Sequence, residues 1–252
     1  MTANAHDADL EGKVAIVTGS SSGIGAATAR LLAAHGAAVV VNSHSTVTEG
    51  RAVAASLPDG VYVQADVSDA EGCASLVAAA QERWGRLDIL INNAGTTRVI
   101  PHHDLEAATP EVWRRILEVN VIGTWQMTTA AVDALRASGA GCVVNVTSVA
   151  GVRCTGSSIP YAVSKAALNH MTALLANVLG PEVRVNAVAP GLVDTPWTAD
   201  WEAIRNHVTS TSPLRRSAQP EDVADVCLSL VRNRHVTGQV LVVDGGMLLR
   251  QG

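Results

Sequence analysis

Tyr161 and Lys165 stand four residues apart in a 252-residue chain that contains only two tyrosines and two lysines. On a helix, positions i and i+4 share a face, so this spacing brings an ammonium beside a phenol. Free tyrosine titrates near pH 10 and is a sluggish proton donor or acceptor at neutrality, and a nearby cation favours the phenolate. Bringing the phenol to about pH 7 takes roughly 4 kcal/mol, more than one exposed ion pair supplies but within reach of burial and a second cation. The pair therefore reads as a general acid/base. Its bland alternative is a surface helix pair worth about 0.3 kcal/mol.

Ser148 lies thirteen residues before Tyr161, at the end of an apolar run. Its hydroxyl could hold a carbonyl or alcohol oxygen. A nucleophilic role is the competing reading. Thr147-Ser148-Val149 is not a G-x-S-x-G elbow, and no histidine stands near it in sequence, although one could approach through space.

A glycine-rich loop runs Thr18-Gly19-Ser20-Ser21-Ser22-Gly23-Ile24-Gly25 between a β-branched run and an Ala-rich stretch. Such glycines let a turn tighten and let backbone amides approach a pyrophosphate, while the following helix directs its positive end at the phosphates. The spacing is G-x-x-x-G-x-G, and the loop could also be no more than a tight strand-to-helix turn. Without a GK[ST] ending it is not a nucleoside-triphosphate P-loop. An oxidised nicotinamide ring in this place would be the second cation that Tyr161 needs. Asp66, just past a later strand, is a further ligand contact at the same sheet edge, or else a turn acid or N-cap, which Asp69 could serve equally well.

Seven short β-branched runs must carry these residues, over 14–18, 38–42, 61–65, 87–91, 142–147, 183–189 and 239–243. Helices are expected over 25–34, 71–84, 110–137, 160–179 and 220–231, three of them opened by Pro. Apolar runs alternating with helices predict a single-domain α/β fold over 1–252. Its architecture is a Rossmann-type, doubly wound, seven-stranded parallel sheet with helices on both faces. Residues 1–11 read as a flexible N-terminus. The irregular stretch 191–217 reads as a substrate lid, with Trp197 and Trp201 as its working face or as anchors on the core. Loops 96–102, 152–159 and 192–201 follow strands at the active edge and should line the substrate pocket. Arg98 and Arg153 there could meet an anionic substrate or simply be solvated.

Composition narrows the classes further. The chain is 48% hydrophobic and 16% charged, as suits a packed body, but has 3% aromatics and no Phe, so Ala, Val, Leu and Ile must fill the core. A net charge of −5 with no cationic run argues against nucleic-acid binding. The start is polar and no window spans a bilayer, so a soluble, unexported, cytoplasmic protein with no membrane partner is expected. Cys73, Cys142, Cys154 and Cys227 form no C-x-x-C pair and are expected to be buried free thiols. His102 and His103 read as a solvated pair, and no catalytic metal is expected.

Read together, these residues resemble the short-chain dehydrogenase/reductase family. Its motifs follow in order from Gly12 to Gly246: the loop at 18–25, Asp66-Val67, Asn92-Asn93-Ala94-Gly95, Asn120, Ser148, Tyr161-x-x-x-Lys165, Pro190-Gly191 with Thr195, and Val243-Asp244-Gly245-Gly246. The resemblance implies reversible hydride transfer between a nicotinamide cofactor and a carbonyl/alcohol pair. It makes Tyr161 the general acid/base. Lys165 lowers its pKa and binds the nicotinamide ribose, Ser148 polarises the substrate oxygen, and Asn120 supports a proton-relaying water chain. The cofactor set it implies is Gly19, Ser21, Ser22, Gly23, Ile24 and Gly25 at the phosphates and Ser43, His44, Ser45, Asp66 and Val67 toward the adenosine. Asn93, Ala94 and Gly95 support the middle, with Tyr161, Lys165, Pro190, Gly191, Val193 and Thr195 around the nicotinamide. Members of this size are commonly homotetramers, with homodimers as the alternative, and stretches 110–137 and 160–179 are the expected dimer helices.

Ser43 stands where NAD-preferring members carry an Asp, so nothing there repels a 2′-phosphate. NADP(H) is therefore favoured over NAD, with Ser43, His44 and Ser45 as hosts. The leading expectation is an NADP-dependent oxidoreductase on a ketone or secondary alcohol, similar to 3-oxoacyl thioester reductases. The alternatives are an NAD-dependent alcohol dehydrogenase of the same family, a non-catalytic nucleotide-binding sensor or scaffold, and a serine hydrolase.

Overall fold

A computed structural model describes residues 9–249 of the chain. Seven strands form one parallel sheet: β1 (Val14–Val17), β2 (Ala38–Ser43), β3 (Gly60–Gln64), β4 (Ile89–Asn92), β5 (Gly141–Val146), β6 (Val183–Pro190) and β7 (Val240–Val243). Their order is β3-β2-β1-β4-β5-β6-β7, so winding reverses between β1 and β4. At such a reversal the loops leaving the two strands diverge and open a crevice at the carboxyl edge.

Inside the sheet, β1 and β5 are buried at every position because helices cover both faces. Side chains alternate along β1. Ala15 and Val17 point into the layer formed with α1 (Gly23–Ala34), α2 (Val47–Ala55) and α8 (Pro220–Arg232), where Leu32, Val53 and Leu230 pack. Val14 and Ile16 point the other way, toward Leu76 of α3 (Ala70–Trp84), Met127 of α5 (Thr124–Ala137) and Leu175 of α6 (Ile159–Leu179). No aromatic residue is among the fully buried hydrophobics of the described residues, which confirms a core of small and branched side chains.

Three elements differ from expectation. α2 was not among the expected helices, and its sequence VTEGRAVAA carries a glycine, Gly50, in its middle. In the fold Gly50 is a packing glycine, since a Cβ there would run into the Tyr62 ring. The stretch 110–137 is not one regular helix. It divides into α4 (Pro110–Leu117), a π-helical turn at Glu118–Gly123 and α5, with helical backbone throughout. Gly123 allows that turn to pass close to β3's exit loop, where a Cβ would sit 3.0 Å from the Val67 carbonyl oxygen. The third difference lies in 191–217, which holds a 3₁₀ turn at Pro196–Thr198 and α7 (Glu202–Thr211).

Of the expected flexible stretch 1–11, residues 1–8 lie outside the described residues. From residue 9 the chain is fastened, with Asp9 paired to Arg232 and His35, Leu10 buried, and the Leu10 N–H bonded to the His35 carbonyl. Cys73, Cys142 and Cys227 are buried and free as expected. Cys154 corrects that expectation, because it is exposed on the loop before α6. No helix among the described residues is long and apolar enough to cross a membrane.

Candidate active site

Ser148 stands two residues past the end of β5 and caps a 3₁₀ turn, Val149–Gly151, by accepting from the Ala150 N–H at 3.1 Å. Gly151 lets that turn lie against α6, since a Cβ would come within 2.5 Å of the Lys165 backbone. Asn169 of α6 donates from Nδ2 to the Gly151 carbonyl at 3.0 Å. Ser158 and Pro160 start α6, whose first turn carries Tyr161 and whose second carries Lys165. Sequence spacing thus becomes fixed geometry: Ser148, Tyr161 and Lys165 line one cleft.

Lys165 is almost fully buried, and its Nζ donates to the Val146 carbonyl at 2.9 Å. Burial lowers its pKa to about 8. Tyr161 is partly open to the cleft, yet its surroundings are dry enough that burial pushes its phenol up to about 12, against the pull of a hydrogen bond with Ser148. Burial therefore acts against the acidic phenol expected from the Tyr–Lys pair.

Asn120 lies in the π-helical turn and is fully buried. Its Oδ1 accepts from the Thr96 N–H at 2.7 Å, and its Nδ2 donates to the Thr96 carbonyl and to Ser164 Oγ, 3.0 and 2.9 Å away. It therefore ties the loop after β4 to the α6 turn between Tyr161 and Lys165. Gly95 keeps this corner open, with its would-be Cβ 3.7 Å from Lys165 Nζ.

The glycine loop is stitched to the loop after β4. Asn93 Nδ2 donates to the Thr18 and Gly19 carbonyls at 2.9 and 3.0 Å, while Thr18 Oγ1 accepts the Asn93 and Ala94 N–H groups at 3.0 Å each. Gly25 is obligatory for packing, because a Cβ would lie 2.5 Å from both Asn93 Nδ2 and the Gly19 oxygen. Gly19 has φ +61 and faces Ala94, where a Cβ would approach Cα to 2.9 Å. Ser22 begins α1 without a side-chain cap, and no acidic residue occupies the first turn. Its first N–H groups consequently lack intrahelical partners beside the cleft lined by Gly19, Ser22, Gly23 and Ile24. An uncapped helix N-terminus on a glycine cradle fits a dinucleotide pyrophosphate.

At the far end, Ser43 is buried and committed internally, donating to the Thr46 carbonyl at 2.9 Å and sharing a 2.8 Å hydrogen bond with the Tyr62 hydroxyl. His44 is largely exposed, its Nε2 3.5 Å from Asp66 Oδ2. Asp66 Oδ1 accepts from both the N–H and the hydroxyl of Ser68. Burial opposes its charge, yet the Ser68 hydrogen bonds and His44 hold its carboxyl below the usual range. Asp69, the rival cap, accepts from Glu71 and Gly72 at the start of α3. Ser21 and Thr46 share a hydrogen bond of 2.6 Å, and Ser45 is exposed beside them.

The main cleft measures about 1180 Å³. It gathers Gly19, Ser22, Gly23, Ile24, Asn93, Ala94, Gly95, Ser148, Tyr161, Lys165, Pro190, Gly191, Val193 and Thr195. Ser21, Gly25, Ser43, His44, Ser45, Asp66, Val67 and Asn120 do not line it. Asn120 is buried in the π-helical turn, Gly25 lies in the first turn of α1, Ser21 in the glycine loop, and the others stand at or past the ends of β2 and β3. Sequence reasoning missed Thr18 and Asn42, whose hydrogen bonds hold the glycine loop, and Met247 and Leu248, which line the cleft from the C-terminal side. Position in or beside a glycine motif was the signal available for Thr18, Met247 and Leu248, while Asn42 at the end of β2 carries no such signal.

The enoyl-(acyl carrier protein) reductase family profile matches residues 19–248. The crystal structure of a candidate short-chain dehydrogenase/reductase from Burkholderia xenovorans superposes with a TM-score of 0.88 at 40% identity, covering 94% of this chain and 98% of that one. This chain belongs to the short-chain dehydrogenase/reductase family. Among its relatives is a Streptomyces violaceoruber protein named as a candidate ketoacyl reductase of granaticin polyketide synthase, 60% identical over 239 residues (94% of this chain, 96% of the relative). A 3-oxoacyl-[acyl-carrier-protein] reductase of Thermotoga maritima is 39% identical over 252 residues, covering 95% and 99%. As a short-chain dehydrogenase/reductase, this chain is an enzyme of keto and CH–OH groups that uses an NAD(P) cofactor.

Proposed function

We propose that this enzyme transfers hydride reversibly between NADP(H) and a ketone/secondary alcohol pair, reducing the ketone of a 3-oxoacyl or polyketide thioester. The observation that carries this reading is the convergence of Ser148, Tyr161 and Lys165 on one cleft with the uncapped N-terminus of α1. The names of the two ketoacyl reductase relatives support the substrate class.

When bound, the nicotinamide supplies or accepts the hydride. The chain's own residues do the rest. Gly19, Gly23, Ile24 and the α1 N-terminus hold the pyrophosphate, while Pro190, Gly191, Val193 and Thr195 wall the nicotinamide half. Ser148 accepts the Ala150 N–H, which leaves its own O–H to donate to the substrate carbonyl oxygen. Tyr161 gives its proton to the same oxygen as negative charge develops there. Lys165 holds positive charge behind the phenol, and Asn120 fixes Thr96 against α6 so that this corner keeps its shape. The stretch 191–217 is the substrate lid.

At the adenosine end, exposed His44 supplies a ring N–H to a 2′-phosphate, and Ser45 and Ser21 supply hydroxyls. One observation favours the NAD alternative: Asp66 already pairs with His44, and its negative charge opposes a second anion. Exposed Trp125, Val163, Leu174 and Val178 on α5 and α6 support a homotetramer or homodimer, which sedimentation velocity tests. A single panel of ketones and alcohols, followed by nicotinamide absorbance with both cofactors, tests the activity. Reduction of 3-oxoacyl thioesters with NADPH at least tenfold better than with NADH is the expected result. No turnover of any ketone with either cofactor would overturn it.

A further inference from the structure

The substrate half of the cleft has an uneven chemistry. The chain holds seven aromatic residues, five Trp and two Tyr. None is among the fully buried hydrophobics, yet Tyr161, Trp197 and Trp201 all line this one cavity. Aromatic side chains are therefore not what fills the core, and their concentration here is a property of the site. Trp197, Trp201, Ile204 and Val208 recur at helical spacing across the 3₁₀ turn and α7, and all four face the cavity. Val208 is buried and Trp201 half-buried, whereas Trp197 remains 47% exposed and Ile204 46% exposed, so part of this apolar face is left open to the cavity. Val99, Val149, Met247 and Leu248 add further apolar lining.

The face is braced. Arg205 on α7 donates from Nε to Asp194 at 2.7 Å and from Nη2 to the Thr198 carbonyl at 3.0 Å. Asp194 also accepts from Ser217 and Gln219 at the far end of the same segment. Both ends of the segment and α7 thus meet at one carboxylate, which keeps the two indoles directed at the cavity.

We infer that Trp197 and Trp201 stack on a flat, conjugated ring, so that among the ketones this enzyme reduces, one embedded in such a ring binds more tightly than one on a short linear acyl chain. This inference rests on the proposed ketone reduction and deepens it. Indole faces offer wide, rigid contact to another π surface, and stacking adds to plain apolar burial. A flexible linear chain loses rotamer freedom on entering the same slot and gains no stacking in return.

The test uses the full-length enzyme and three probes: 1-tetralone, its saturated counterpart 1-decalone, and the N-acetylcysteamine thioester of acetoacetate. Calorimetry on protein holding NADP+ reads binding, and NADPH oxidation reads kcat and KM. Expected are tighter binding of 1-tetralone than of 1-decalone, and an approximately tenfold rise in Kd and KM for 1-tetralone in Trp197→Leu and Trp201→Leu. The KM of the linear thioester should move less than about twofold. Trp197→Phe and Trp201→Phe should recover most of the loss, which a general packing defect would not. Equal effects on ring and linear probes, no effect on either, or 1-decalone binding as tightly as 1-tetralone would overturn the inference. If no probe is reduced, the proposed activity fails, while calorimetry still decides whether the indoles hold a flat ring.

Discussion

Lys165 and Tyr161 share a helix face without touching head to head: the ammonium nitrogen stands 5.7 Å from the centre of the phenol ring and donates to the Val146 carbonyl at 2.9 Å. Burial alone then dominates both groups, raising the phenol to about 12 and lowering the amine to about 8. In this state the site holds a protonated acid, ready for carbonyl reduction. Abstracting a proton from an alcohol requires a lower phenol pKa, and the positive charges of Lys165 and an oxidised nicotinamide are the means.

The pH profile follows from Lys165. Its charge is present below about pH 8 and is lost above it. Ketone reduction should be level from pH 6 to near 8 and then decline, as the phenol loses the cation that eases proton release. Lys165→Met should be slower throughout and lack that limb. A kcat/KM profile from pH 6 to 10 for both proteins checks this, and a wild-type profile level to pH 10 would refute it.

The same burial makes Lys165 costly to the fold. An amine lowered from 10.5 to about 8 binds fewer protons folded than unfolded between those values, so its contribution to stability improves as pH rises through that window. Below pH 8 the folded state bears the full penalty, on the order of 3 kcal/mol. Lys165→Met should accordingly raise the Tm of the cofactor-free protein at pH 7 while slowing turnover, as functional sites often trade stability for chemistry. A lowered Tm would show that the Val146 hydrogen bond outweighs the desolvation.

Gly25 gives a sharper steric test than the other loop glycines. Gly25→Ala must displace Asn93 or the Gly19 carbonyl, each 2.5 Å from the added carbon, and so part the two loops at the switch point. Destabilisation of about 1 to 3 kcal/mol is expected, with loss of nucleotide binding in a calorimetric titration. Gly12→Ala meets no neighbour and carries only the strain of φ +71. Its nucleotide affinity should match wild type.

His44 is also a test of the proposed cofactor choice. Exposed at the end of β2 with its Nε2 3.5 Å from Asp66 Oδ2, it is the proposed host of a 2′-phosphate, so His44→Asn should weaken NADPH binding several-fold in a calorimetric titration and leave NADH binding level. Equal or tighter binding of NADH than of NADPH by the wild-type enzyme would exclude the NADP reading.

Much of this arrangement was legible in the sequence because it rests on local rules. The strands are apolar runs, α6 opens with Ser158 and Pro160, and Tyr161 and Lys165 share a face by helical spacing alone. What escaped depends on contacts distant in sequence. Gly50 is a glycine because Tyr62 crosses it, and the turn at Glu118–Gly123 widens where Val67 lies against Gly123. Ser43 was expected to help host NADP(H), and its hydroxyl also bonds Tyr62 and Thr46, partners that no motif announces. Spacing likewise revealed the cation beside the phenol but not the Val146 carbonyl that takes a hydrogen bond from the amine.

The most direct test is Tyr161→Phe, which removes one oxygen and leaves the ring and the cleft. Stopped-flow oxidation of NADPH by a 3-oxoacyl thioester should slow by about a thousandfold, with NADPH affinity within roughly twofold of wild type. A variant that still oxidises NADPH within tenfold of the wild-type rate would show that the proton comes from elsewhere.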